Sequence, residues 1–225
     1  MARSIFLNYF REQWRQGEHL TIIGPTGSGK STLGLELLSC MPYVAIIATK
    51  QRDSTLERFA RNNKSYRIIR EFLWSNTQKT LDDKLIIWPK LVNDAGDISK
   101  QQLPIRNSLN KLFFQGAWSV FADELWLLTN RLKLSTILES YWSQGRSSGL
   151  SVIGCVQRPA FIPRMAFSEP RYLLIGQMED RRDIETVSNG TNINQRTLTS
   201  EVNQLSRHSF LFYSRNDRTI IKIDE

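Results

Sequence analysis

The chain has 225 residues, 40% hydrophobic and 10% aromatic, with 30 Lys and Arg against 22 Asp and Glu and a formal charge of +8. This supports one sizeable core and demands no second one, and no apolar run approaches the roughly 20 residues that cross a bilayer. With no export signal at 1–8, a single intracellular domain over 1–225 is expected, with 1–17 as a helical extension and no membrane partner. Cys40 and Cys155 fall on separate elements and read as buried small hydrophobes, and His19 and His208 have no companions at zinc-ligand spacing.

In chain order, Ile5, Leu7, Phe10 and Trp14 among Arg11, Glu12 and Arg15 predict an amphipathic helix over 5–16 that covers a sheet edge or meets a neighbouring subunit. A short apolar strand at 19–23 comes next. It runs into Gly24-Pro25-Thr26-Gly27-Ser28-Gly29-Lys30-Ser31-Thr32, which satisfies G-x-x-x-x-G-K-[ST], and then into a helix over 30–41 carrying Leu33, Leu37 and Leu38. Strand, glycine loop and helix are the context that a phosphate-binding loop needs. Its glycines let backbone N–H groups curl around an anion at a helix N-terminus. Lys30 then reaches the β- and γ-phosphates of ATP, and the Ser31 hydroxyl ligates Mg²⁺.

Pro42 ends the helix, and the apolar run 43–48 reads as a strand buried on both faces, making a βαβ unit and hence a parallel sheet. Ser54 with Glu57 at capping-box spacing predicts a short helix through about Ala60. Around it, Lys50, Arg52, Arg58, Arg61, Lys64, Arg67 and Arg70 outnumber Asp53 and Glu57. Of these, Arg58, Arg61, Lys64 and Arg67 are the candidate contacts to a polyanion such as DNA, against the reading of a solvated face. A strand or helix is expected near 66–74, a strand at 85–88, a loop over 93–103, and a helix over 105–114 beyond Pro104.

The apolar strand 117–122 ends in Asp123-Glu124, where a Mg²⁺–nucleotide site needs a carboxylate near the metal and a base near the attacking water. Asp123 takes the first role through the metal's water shell and Glu124 the second. A helix over 125–143 leads to a turn at 144–149 and a strand at 150–157. Gln157 at that strand's end sits where ligands gather in open α/β sheets and can sense the γ-phosphate or the water. Arg146, in the preceding turn, is expected near the nucleotide-bearing sheet edge, as a finger reaching the nucleotide of the next subunit, with Arg158 as its competitor. A strand at 172–176, helices at 180–187 and 195–205, and a closing hairpin of 208–213 and 219–223 complete the chain. The fold class is therefore α/β: a three-layer P-loop NTPase of RecA/ASCE-like type, with a mainly parallel central sheet and a C-terminal β-hairpin.

The phosphate loop, Phe121-Ala122-Asp123-Glu124, Gln144-Gly145-Arg146-Ser147-Ser148-Gly149-Leu150 and Val156-Gln157-Arg158-Pro159 together resemble the FtsK/HerA superfamily of ring-forming, DNA-translocating ATPases. Family members carry Thr-Gln-Arg-Pro where this chain has Val156 ahead of Gln157. The segment 178–183 also looks like the family's Asp-x-Arg helix opening, whereas 60–115 matches nothing specific. The resemblance implies a pentameric or hexameric ring that hydrolyses ATP with Mg²⁺ and moves double-stranded DNA. The compact length is most like a viral genome-packaging ATPase, acting in the host cytoplasm or at a capsid vertex or portal. Alternatives are a phage-assembly or conjugation-type DNA-transfer ATPase, and a P-loop kinase or nucleotide switch with Arg181-Arg182 as a lid.

Overall fold

Apolar runs become strands here because successive residues of a strand point to opposite faces, so a strand buried on both sides needs no polar alternation. The computed structural model describes residues 1–73, 83–89 and 99–225. In chain order the elements are α1 (Arg3–Gln13), β1 (Leu20–Ile23), α2 (Lys30–Leu37), β2 (Val44–Ile47), α3 (Ser54–Asn62) and β3 (Tyr66–Ile69). Next come β4 (Lys84–Ile87), α4 (Ser99–Gln115), β5 (Ser119–Ala122), α5 (Ser135–Gln144), β6 (Ser151–Val156) and α6 (Met165–Ser168). The last are β7 (Tyr172–Ile175), α7 (Arg181–Thr191), α8 (Gln195–Asn203), β8 (Phe210–Ser214) and β9 (Thr219–Ile223).

Among the described residues nine strands form one sheet in the order β3-β4-β2-β5-β6-β1-β7-β8-β9. The pairings from β3 to β7 are parallel, and β8 and β9 close the sheet antiparallel. This is the mainly parallel P-loop NTPase sheet with a C-terminal hairpin. β1 lies between β6 and β7, with Ile22 opposite both Cys155 and Leu174. The loop that leaves β1 therefore emerges at the middle of the carboxyl edge, flanked by the ends of β6 and β7.

The alternation sorts each strand between two cores. Ile22, Ile46, Phe121, Cys155, Leu174 and Phe212 join Phe6, Phe10, Leu33 and Leu56 on the face covered by α1, α2 and α3. Their neighbours Ile23, Ile47, Ala122, Val156, Ile175 and Leu211 join Leu109, Leu138, Val187 and Leu198 under α4, α5, α7 and α8. α1 covers this first face, not an edge: Phe10 lies 5.4 Å from Tyr172 and 6.3 Å from Phe212, ring centroid to centroid. No helix among the described residues is long and apolar enough to cross a membrane.

Several local expectations are corrected. The cap of α3 is Asp53, whose carboxylate accepts from the Leu56 N–H at 2.9 Å, and Ser54 is the first helical residue. Either side chain can cap, but only Asp53 has the extended backbone that an N-cap requires. α4 begins ahead of Pro104 and runs through it. The proline forfeits one backbone hydrogen bond there, while Ile105, Leu109 and Leu112, on one face of the helix, are fully buried. The part of the expected loop at 93–98, and the expectation at Trp74, lie outside the described residues.

The single helix expected over 125–143 is two pieces. A π-turn at Leu127–Arg131 lets the Leu132 N–H bond to the Leu127 carbonyl at 2.9 Å, and Lys133 turns left-handed (φ 53°) before α5 starts. Of the two cysteines, both free, Cys155 is buried and Cys40 only half-buried.

Candidate active site

The loop after β1 takes its shape from two glycines in the left-handed region, Gly27 (φ 77°) and Gly29 (φ 86°), which residues with a Cβ rarely adopt. Gly29 is also the N-cap of α2, so the free N–H groups at the start of that helix face the loop's concavity. Lys30 is buried, and its Nζ donates to the Pro25 carbonyl across the loop at 2.7 Å. Burial pushes its pKa down, with Asp123 and Glu124 among the groups opposing the change. An ammonium held out of water in this way favours a phosphate as a partner.

β5 pairs directly with β6, and its carboxyl end delivers Asp123 and Glu124 to the same edge. The Ser31 hydroxyl hydrogen-bonds to Asp123 Oδ1. Thr26 Oγ1, on the loop, donates to Gln157 Oε1 at 3.1 Å, joining the end of β6 to the same cluster. Lys30, Ser31, Asp123, Glu124 and Gln157, drawn from distant parts of the sequence, thus meet at one sheet edge.

Sequence reasoning counted Lys50 with the basic cluster, but the structure brings it here. Its Nζ bonds to Asp123 Oδ2 at 2.7 Å and lies 3.5 Å from Asp53. Its backbone is pinned by Trp88 Nε1, which donates to the Lys50 carbonyl, and by Gln101, which donates to that of Thr49. Burial works to lower the Lys50 pKa, yet the hydrogen bond and charge of Asp123 outweigh it and raise the pKa. The only sequence signal was its position just past the end of β2, at the ligand edge.

Glu124 is half-buried, and burial raises its carboxyl pKa, with Lys50 opposing and Asp123 adding to the rise. A carboxylate made more basic next to the phosphate loop suits proton acceptance from water. Ser31 and Asp123 offer a hydroxyl and a carboxylate, hard oxygen donors of the kind Mg²⁺ takes, and the Lys50 ammonium on Asp123 indicates that this carboxylate attracts a cation. These residues fit Mg²⁺, which when bound neutralises charge on the β- and γ-phosphates. Beside Glu124, a largely apolar pocket is lined by Trp126, Cys155, Gln157, Arg158 and Phe161.

Two arginines are placed differently from expectation. Arg146 lies in a turn (Gly145–Ser148) ahead of β6, at the amino edge of the sheet and not at the nucleotide edge, separated from Gln157 by the roughly 20 Å of a six-residue strand. Its carbonyl and Cα lie against Gly17, and its exposed side chain makes no ion pair or hydrogen bond with a described residue. The turn that enters a parallel strand and the residue that leaves it are necessarily at opposite edges, so Arg146 cannot reach the phosphates of its own subunit. Arg158 is already engaged: Nε bonds Asp183 at 2.8 Å, Nη2 bonds Asp180 at 2.7 Å, and the guanidinium lies 5.5 Å from the Phe161 ring centroid.

The polyanion candidates Arg58, Arg61, Lys64 and Arg67 are all exposed, on α3 and the edge strand β3 and in the turn between them. They are separate from the nucleotide cluster, and Arg67 also pairs with Asp83 at 3.3 Å.

No protein-family model matches the chain. It is 35% identical over 72 residues to the DNA packaging ATPase P9 of Enterobacteria phage PRD1, a stretch that spans 32% of this chain and 30% of that protein's length. Among solved structures, the DNA-packaging ATPase B204 of Sulfolobus turreted icosahedral virus superposes with a TM-score of 0.65 at 16% identity, covering 93% of this chain and 98% of B204. B204 of the related virus 2, in complex with AMP, gives 0.63 at 16% identity over 92% and 98%. The pCW3 conjugation coupling protein TcpA gives 0.53 at 17% identity, over 92% of this chain and 59% of TcpA. These comparisons bear out the resemblance drawn from the motifs, and the fold is that of these NTPases.

Proposed function

We propose that the whole chain is one ATPase domain, a ring-forming motor that hydrolyses ATP with Mg²⁺ to translocate double-stranded DNA, packaging a viral genome at a capsid vertex. The observation that carries the enzymatic part is the meeting of Lys30, Ser31, Asp123, Glu124 and Gln157 at one edge. In this reading the loop's N–H groups and Lys30 bind the phosphates, Ser31 and Asp123 hold the metal, Gln157 senses the γ-phosphate, and Glu124 takes the proton of the attacking water. The packaging part is supported by the likeness to P9 and B204, both DNA-packaging ATPases. Arg58, Arg61, Lys64 and Arg67 are the proposed DNA contacts, and Arg146, at the far edge, acts only on a neighbour's nucleotide.

Turnover tests this reading. Lys30→Ala should abolish ATP binding and hydrolysis, whereas Glu124→Gln should keep ATP binding and lose hydrolysis by about a hundredfold or more, the range expected for a lost general base. Wild-type turnover in Glu124→Gln would remove Glu124 from its role. Equal stimulation by small-molecule phosphate acceptors and by DNA would favour a kinase over a motor.

A further inference from the structure

We propose that Arg207 binds the phosphate chain of the nucleotide held by its own subunit's loop, seated there with His208 on the turn that enters β8. The inference rests on the nucleotide-site reading above and adds a residue from the far end of the chain.

β8 runs antiparallel to β7, with Leu211 opposite Ile175, so the turn before β8 is brought to the carboxyl edge beside the phosphate loop. That turn is firmly built. Leu205 is buried, and its carbonyl accepts from Gln177 Nε2 at 2.6 Å. Ser206 and Ser209 share a hydroxyl hydrogen bond at 2.6 Å, and buried Ser209 donates to Asp224 Oδ1 at 2.9 Å. Arg207 and His208 stand between these anchors and face the glycines of the loop. A Cβ on Gly27 would lie 2.9 Å from Arg207 Nη2, and one on Gly29 would lie 3.5 Å from His208 Nδ1. Gly27 therefore serves two ends: its left-handed backbone shapes the loop, and its missing side chain leaves room for a guanidinium.

Arg207 is exposed and makes no ion pair or hydrogen bond with any described residue, unlike Arg158 and Lys50, whose charges are matched by carboxylates. A fixed fork of N–H donors against a loop built to hold phosphates is matched chemically by phosphate oxygens, which a guanidinium can engage in pairs. Because it approaches the loop from outside the β5 and β6 ends, it adds to binding of ATP and ADP alike, and is separate from the Glu124 side where water is activated.

Equilibrium titration of a fluorescent ADP and of ATP with Mg²⁺ tests this, comparing wild type, Arg207→Ala, Arg207→Lys and Lys30→Ala, with equal urea midpoints as the check on folding. Arg207→Ala should weaken both nucleotides by about tenfold to a hundredfold, the size of a lost charged hydrogen bond. Arg207→Lys should recover part of this, and the kinetic loss should fall on KM more than on kcat. Unchanged ADP and ATP affinity in Arg207→Ala, with Lys30→Ala weakened, would overturn the role of Arg207 and leave the nucleotide site standing. If Lys30→Ala also bound normally, the site itself would be refuted. Lost turnover with unchanged ADP affinity would overturn binding within the subunit and assign Arg207 to a neighbour.

Discussion

Acidification should destabilise this protein through one buried histidine, and a single substitution should remove most of that sensitivity. His19, 4% exposed at the start of β1, accepts the Val152 N–H on Nδ1 at 3.0 Å, so the folded state requires that nitrogen to be unprotonated. Its pKa falls from 6.5 to about 4, first because burial disfavours the cation, against a weaker backbone interaction with Trp142, and with the Arg146 guanidinium adding to the depression. Between these two values the unfolded chain binds a proton that the folded chain refuses, so stability is fully present above pH 6.5 and is lost as the pH falls. The drop from 6.5 to about 4 limits the total loss to about 3 kcal/mol, of which about 2 kcal/mol is gone at pH 5.

His19→Asn keeps an acceptor for Val152 N–H and cannot titrate. Urea unfolding followed by the fluorescence of the buried Trp14, Trp118 and Trp142 at pH 7 and pH 5 should show wild type losing about 2 kcal/mol more than the variant. In thermal scans that is a difference of about 4–8 °C for a chain of this size. Equal pH dependence in the two proteins would refute the reasoning, because every other titrating group is common to both.

Gly154→Ala on β6 would place a methyl 2.3 Å from Leu125 Cδ1, directly behind Asp123-Glu124; it should cost about 1–3 kcal/mol in urea unfolding and lower ATP turnover. Reversing charge at Arg58, Arg61, Lys64 and Arg67 should flatten the salt dependence of DNA binding by up to about 0.9 in log–log slope per lost phosphate contact, read by fluorescence anisotropy; an unchanged slope would move the DNA surface elsewhere. Mixing Arg146→Ala with Lys30→Ala subunits should restore part of the ATPase activity that each lacks alone; a mixture shown to co-assemble yet remaining inactive would exclude action across an interface.

The central strands were legible because they are short, apolar and bounded by Pro or Gly, whereas the half-exposed edge strand β3 has neither flank and stayed ambiguous; the phosphate loop was legible because its glycines, lysine and serine form one local pattern. What was not legible depends on three-dimensional neighbours. Asp53 and Ser54 are equally good caps by type, and the extended backbone at Asp53 is what makes it the cap. Pro104 read as a boundary because one missing N–H weighs heavily in a local pattern, whereas in the fold it is outweighed by the burial of Ile105, Leu109 and Leu112 just beyond it. The break in the helix after Glu124 has no Gly or Pro to mark it: a π-turn and the left-handed Lys133 absorb it.

The cations show the same limit more sharply, since charge type alone does not sort them. Lys50, Arg146, Arg158 and Arg207 all fall at strand ends or in turns, and by sequence any of them could serve the phosphates. Position relative to strand direction separates them. Lys50 follows the parallel strand β2 and Arg158 follows β6, so both reach the carboxyl edge. There, carboxylates 73 and 25 residues away neutralise them. Arg207 precedes a strand too, but β8 runs antiparallel, and the reversal brings it to the nucleotide edge with its charge unmatched. Arg146 precedes a parallel strand and is carried to the opposite edge, where only a second subunit could bring a phosphate to it. One rule, that strand direction decides which flank faces the ligand, thus separates Arg207, beside the phosphate loop, from Arg146 at the opposite edge, the proposed finger for a neighbour's nucleotide.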